Sequence, residues 1–171
     1  PIPPPPAVND EEMKALIAYV RSLSEGGSAE DPNGLIAKGK INNFTYAAYK
    51  GSWDKLPDFS KLKPFKTGTA KSGTADPGLA GVGENFGVVF EGDIEIAKKG
   101  DYTFNLGSDD GTRLYINGKL VVDNDGVHGM RAKKGKIDLE PGAAKLKLEY
   151  FEKSGEEKLA LDMSGPGIPR L

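Results

Sequence analysis

The spacing of apolar positions changes near residue 33. Before it, Met13, Leu16, Ile17, Val20 and Leu23 fall three or four residues apart, on one face of a helix. Asn9, followed three residues on by Glu12, makes a capping-box pattern. Glu11 and Glu12 lie near the positive end of the helix dipole and Arg21 near its negative end. Gly26-Gly27 stops the helix, and residues 24–33 read as a linker. Beyond Asn33 the period becomes two. Short alternating runs between Gly, Asp and Asn clusters predict an all-β domain, with strands near 38–50, 85–96, 100–106, 113–116, 119–123, 136–139, 144–151 and 158–163. Asn117-Gly118 is the strongest turn signal, because both residues tolerate the positive φ of a type I′ hairpin. In that hairpin Arg113 and Tyr115 alternate with Leu114 and Ile116, so the first pair shares a partly exposed face. The stretch 51–84 holds Pro57, Pro64 and Pro77. It is expected to wrap the core as an irregular arm anchored by Trp53, Leu56, Phe59, Leu62 and Phe65.

Composition narrows the function classes. A chain of 171 residues holds one domain plus an appendage, which divides here into 1–33 (proline-rich arm, amphipathic helix and linker) and a β domain over 34–171. A net charge of -2 with acids and bases interspersed gives no basic stripe, so nucleic acid is not an expected partner. The absence of cysteine excludes disulfides, thiolate metal sites, a Cys nucleophile and covalent haem from this stretch. No apolar run reaches the roughly 20 residues of a membrane span. The chain is expected to be monomeric on its own. It begins at Pro1 and reads as a piece of something longer. A single histidine and no compelling Ser partner argue against a catalytic triad, so the expectation is not an enzyme but an accessory module.

Candidate chemistry concentrates at Asp109-Asp110, where the run Tyr102-Thr-Phe-Asn-Leu106 breaks. Adjacent acids repel. A solvated turn tolerates them, since Asp is common there. A cation between them uses them, since calcium takes about six to eight oxygen ligands and often draws them from Asp. Asp123-Asn-Asp-Gly126 looks calcium-like but fails as an EF-hand, with Val127 and Lys134 at ligand positions. It reads as a turn, and Asp125 as a candidate support beside the acid pair. His128 stands alone in Gly126-Val-His-Gly-Met130. Structural packing and a hydrogen bond to a sugar hydroxyl both fit it. Trp53 offers a plane for a sugar face, while its neighbours Leu56, Pro57 and Phe59 favour packing.

An ordered set of motifs resembles the protective-antigen-type domain, named from the anthrax toxin component and found in bacterial glycosidases and fungal flocculin adhesins. The set comprises Phe90-Glu-Gly-Asp-Ile-Glu-Ile96, Gly100-Asp-Tyr-Thr-Phe104, Ser108-Asp-Asp-Gly111, Leu114-Tyr-Ile-Asn-Gly118, Val121-Val-Asp123, the turn from Leu139 to Gly142, and Leu148-Glu-Tyr150. The resemblance implies a mainly β fold, an antiparallel, jelly-roll-like β-sandwich, here with one short N-terminal α-helix. It also implies calcium-dependent carbohydrate binding, with the two Asp residues joined by a cis peptide and both on the ion. Carried over residue by residue, the metal ligands are Asp109 and Asp110, with Glu152 where fungal members place an Asn and backbone carbonyls near Ser154 and Glu156. The ligand-binding set is Asp109, Asp110, Asp125 and His128. The stretch from Pro3 to Leu23 is similar to the closing helix of small c-type cytochromes, without their haem-attachment motif, so no haem belongs to this chain. The expected function is a calcium-dependent, lectin-like module for a glycan or polysaccharide, from an exported bacterial protein acting in the periplasm, at the cell surface or outside the cell. The alternative is a structural or protein–protein interaction module in which the Asp pair only shapes a turn.

Overall fold

Period-two alternation folds into two antiparallel sheets. The structure, a computed structural model, describes residues 41–70, 75–155 and 157–166. The predicted helix, the arm before it and the cytochrome-like stretch lie outside the described residues. The strands are β1 (Ile41–Lys50), β2 (Lys66–Thr69), β3 (Phe86–Ile96), β4 (Gly100–Asp109), β5 (Thr112–Ile116), β6 (Lys119–Asn124), β7 (Arg131–Leu139), β8 (Gly142–Glu152) and β9 (Lys158–Ser164). One sheet has six strands in the order β2-β1-β3-β8-β5-β6, and the other three in the order β7-β4-β9. The chain is mainly β and antiparallel, a sandwich.

Register explains the core. Tyr46, Phe90, Leu148, Leu114 and Val122 are successive cross-strand neighbours from β1 to β6. All are buried, because side chains at the same pleat position point to the same face. Tyr102, Phe104 and Leu106 on β4 supply the opposite inner face, and all three are buried. The sheets approach closely where β6 passes β7. A Cβ on Gly135 would lie 1.9 Å from the Val121 carbonyl oxygen, so only glycine fits. At the hairpin, Asn117 and Gly118 have φ of 52° and 79°, as the dipeptide predicts.

The arm is more ordered than its composition suggests. It contains β2 and two short 3-10 turns, Phe59–Lys61 and Pro77–Ala80. Asp58 and Asp76 cap them by accepting hydrogen bonds from the Ser60 and Gly78 N–H groups at 3.1 and 2.9 Å. Of the expected anchors, Phe59 is buried, against Gly87. Trp53 and Leu56 are half-buried. Leu62 and Phe65 are exposed instead, at 37% and 40%. Phe65 lies under the Lys50 ammonium, 5.0 Å from the ring centroid.

Candidate metal and ligand site

Two inward columns run past the apolar core and end in polar side chains. On β4 the column Tyr102, Phe104, Leu106 continues at period two to Ser108, and Asp110 follows just past the strand end, both buried. On β8 the column Leu146, Leu148, Tyr150 continues to Glu152, which has no exposed surface. The inner row at this end reads Ala48, Val88, Tyr150, Thr112 and Asn124, turning from apolar to polar towards β6. β4 also runs further than the alternation implies, through Asp109, because polar inward positions resemble a loop in sequence.

A cis peptide joins Asp109 to Asp110. Buried hydroxyls hold the carbonyls on both residues: Tyr150 donates to the Asp109 carbonyl at 2.6 Å and Ser108 to that of Asp110 at 2.7 Å. The Asp110 carboxylate accepts backbone N–H bonds from two loops, His128 at 3.1 Å and Lys153 at 2.8 Å. Glu152 Oε2 lies 3.0 Å from the Tyr150 hydroxyl, while its Oε1 is buried with no hydrogen-bond partner. Asp109, Asp110 and Glu152 each present an oxygen within 4.8 Å of the others.

The charges conflict. Burial, then the Asp110 charge, pushes the Asp109 carboxyl up to about 6. Burial pushes Glu152 up to about 8, with the Asp110 and Asp109 charges adding to it and the Tyr150 hydrogen bond opposing it. The Tyr150 hydroxyl is raised too, chiefly by burial and then by the Glu152 charge. Tyr150 has one proton, directed at both the Asp109 carbonyl and Glu152 Oε2, so it offsets the Glu152 charge only in part. A cation would complete that compensation. The donors are all oxygen, which suits a hard ion such as calcium, and the buried Glu152 oxygen lacks only a partner. Asp109, Asp110 and Glu152 therefore fit calcium as its holders.

The remaining predicted residues take separate places. Asp125 is engaged elsewhere: its Oδ1 accepts from the Leu56 and Gly126 N–H groups, both at 2.8 Å, and its Oδ2 pairs with Arg113 at 3.3 Å. It ties the arm to the loop after β6. The His128 ring nitrogens each lie 2.8 Å from a carbonyl oxygen, Gly129 and Asn124, so only its backbone N–H serves the carboxylates. Ser154 lies exposed in the loop after β8, and Glu156 is outside the described residues. Lys153 pairs with Asp54, fastening the arm to that loop. Trp53 packs on Gly51 and meets Phe59 edge-on at 6.0 Å. Sequence reasoning missed the roles of Tyr150, Ser108 and Asn124. Asn124 is fully buried and bonds the Arg131 carbonyl and side chain, both at 2.8 Å. The signal was their place at period two beyond the apolar columns. Gly111 is also essential here, since an added Cβ would lie 2.5 Å from the Phe151 ring and 2.9 Å from Asp125 Oδ1.

A family model of the PA14 domain matches residues 47–170. No curated protein matches the chain. Similar solved structures include the PA14 domain of the MpAFP antifreeze protein, with TM-score 0.58 and 18% identity, covering 81% of this chain and 89% of that one. The PA14 sugar-binding domain of an RTX adhesin has TM-score 0.53 and 15% identity, over 72% and 90%. The A domain of epithelial adhesin 9 from Candida glabrata, in complex with Galβ1-4GlcNAc, has TM-score 0.55 and 10% identity, over 79% and 88%. At such identities the likeness establishes the fold.

Proposed function

The chain belongs to the PA14 domain family, and from that premise we propose that it is a calcium-dependent carbohydrate-binding module of a larger exported bacterial protein. The observation that carries this reading is the meeting of three carboxylates, Asp109, Asp110 and Glu152, around a buried oxygen with no partner. Asp110 is fixed by two backbone N–H groups, Asp109 by the Tyr150 bond to its carbonyl, and Glu152 by its place on β8. When bound, calcium would supply coordination positions that two neighbouring sugar hydroxyls can fill, since vicinal oxygens reach one ion without strain. Asp109, half-exposed beside the two buried acids, is the ligand nearest solvent and the one placed to meet the glycan. The loop after β8, including the Ser154 carbonyl, finishes the site.

Support also comes from similar structures described as a sugar-binding domain and as an adhesin domain in complex with Galβ1-4GlcNAc. The module delivers its parent to glycans and performs no catalysis. Its β domain spans 34–171, with 1–33 before it as proline-rich arm, amphipathic helix and linker. Among the described residues no helix is long and apolar enough to cross a membrane. A glycan array probed in calcium and in chelator tests the reading. Spots bound in calcium, cleared by chelator and lost in Asp109→Ala are expected. Binding indifferent to both, or no binding to any glycan, contradicts it.

A further inference from the structure

The outward rows of the six-stranded sheet carry a chemistry that the carboxylate cluster does not use. A groove of about 850 Å³ crosses this face, within the roughly 300–1,000 Å³ of pockets that hold whole small ligands. Its floor is a checkerboard of donors and acceptors. Thr45, Glu91, Lys147 and Tyr115 are cross-strand neighbours in one row. Asp93 faces Lys145 on one side of that row, and Glu149 faces Arg113 on the other. Leu56, Pro57 and Asp58 of the arm line it from above the sheet.

Charge decides what fits. Asp58, Glu91, Asp93 and Glu149 meet Arg113, Lys145 and Lys147, so the signs nearly cancel and no strong field draws a polyanion or a polycation. Protein interface cores lose charged residues and gain aromatics; this floor does the reverse, with Tyr115 as its ring. Hydroxyl groups both donate and accept, so a chain of them matches alternating acids and bases row by row. Glu149 is the deep point, 7% exposed. Its carboxylate lies 3.7 Å from Lys147 Nζ, beyond hydrogen-bond length, and burial raises its pKa against the pull of Lys147 and Arg113. A ligand hydroxyl would give it a short bond. The Lys147 ammonium also lies 5.6 Å from the Tyr115 ring centroid. Exposed and flexible, it can leave the ring and free an aromatic plane for the apolar face of a sugar.

We propose that this groove is a second, metal-independent binding site for an uncharged oligosaccharide chain. It shares no residue with the carboxylate cluster and stands without the calcium reading. The test keeps the whole chain in chelator and adds neutral hexasaccharides (cello-, xylo-, chito- and maltohexaose) while amide NMR shifts are followed. At least one is expected to move the amides of Thr45, Glu91, Tyr115, Lys147 and Glu149. Tyr115→Ala and Glu149→Gln should weaken that binding about tenfold or more, roughly 1.4 kcal/mol. Thr45→Trp, whose bulk fills the groove at the end of that row, should block it. No shift on this face at millimolar sugar, or binding that survives Thr45→Trp, overturns the proposal. So does chelator-resistant binding that vanishes in Asp109→Asn, since it would place the sugar at the carboxylates. If groove binding persists while calcium-dependent capture on the array fails, only the proposed function falls.

Discussion

Glu152 has no exposed surface, one oxygen near a tyrosine hydroxyl and one with no partner. Those facts make the site pH-sensitive. Asp109 and Glu152 hold their protons to about 6 and about 8, above their ordinary 3.8 and 4.5. A raised carboxyl pKa means that the folded state keeps a proton the unfolded state has lost. The contribution of these two groups to metal-free stability is therefore greatest below the ordinary carboxylate range, falls as pH rises to about 8, and levels off above it. Calcium needs both groups ionised, so its affinity should rise over the same window, with protons released on binding. Calorimetric titration in buffers of different ionisation heat reads both, and an affinity flat from pH 6 to pH 8 would refute the assignment of these ligands. Tyr150 acts one step back, on the Asp109 carbonyl and on Glu152. Tyr150→Phe removes that hold with little change in volume. Calcium affinity should fall about 10–100-fold, as for partners that orient metal ligands. Calcium titration of the folded variant checks this, and unchanged affinity would mean that the hydroxyl is only a packing group.

At the scale of elements, β8 carries both core and site. Leu148 lies between Phe90 and Leu114 with no exposed surface. Leu148→Ala should cost about 2–5 kcal/mol, whereas Leu120→Ala, at a position 50% exposed on β6, should stay within about 0.5 kcal/mol. Urea unfolding measures both, and equal losses would contradict the registered core. Period two made most of this legible: the strands ending at Lys50, Ile96 and Leu139 end where the alternation stops, and Asn117-Gly118 turns as its chemistry demands. β2 was not legible, because Lys66-Thr-Gly-Thr69 is short and polar and its pairing comes from β1. The end of β4 was hidden for a different reason. Ser108 keeps the inward phase but loses the apolar character by which a strand is recognised. The acid pair drew notice in sequence through charge alone. Glu152 came only through family resemblance, and the hydroxyls that brace the pair are invisible until β4 and β8 are set side by side.

Across the whole molecule, the site lies where the two sheets meet. Asp109 ends a strand of the three-stranded sheet with Asp110 just beyond it, and Glu152 ends a strand of the six-stranded one. A dication among them would fasten the sheets together at one end, and the arm is already tied there through Asp54–Lys153 and Leu56–Asp125. Binding to the native state alone stabilises it by about 2.7 kcal/mol at a hundredfold excess over Kd, and each kcal/mol moves the melting midpoint of a domain this size by roughly 2–4 °C. The decisive measurement is the thermal midpoint of the chain in millimolar calcium against chelator, with Asp109→Asn beside it. A midpoint several degrees higher in calcium, with no such gain in the variant, is the predicted result. Superimposed curves for the native chain in calcium and chelator would contradict the calcium site.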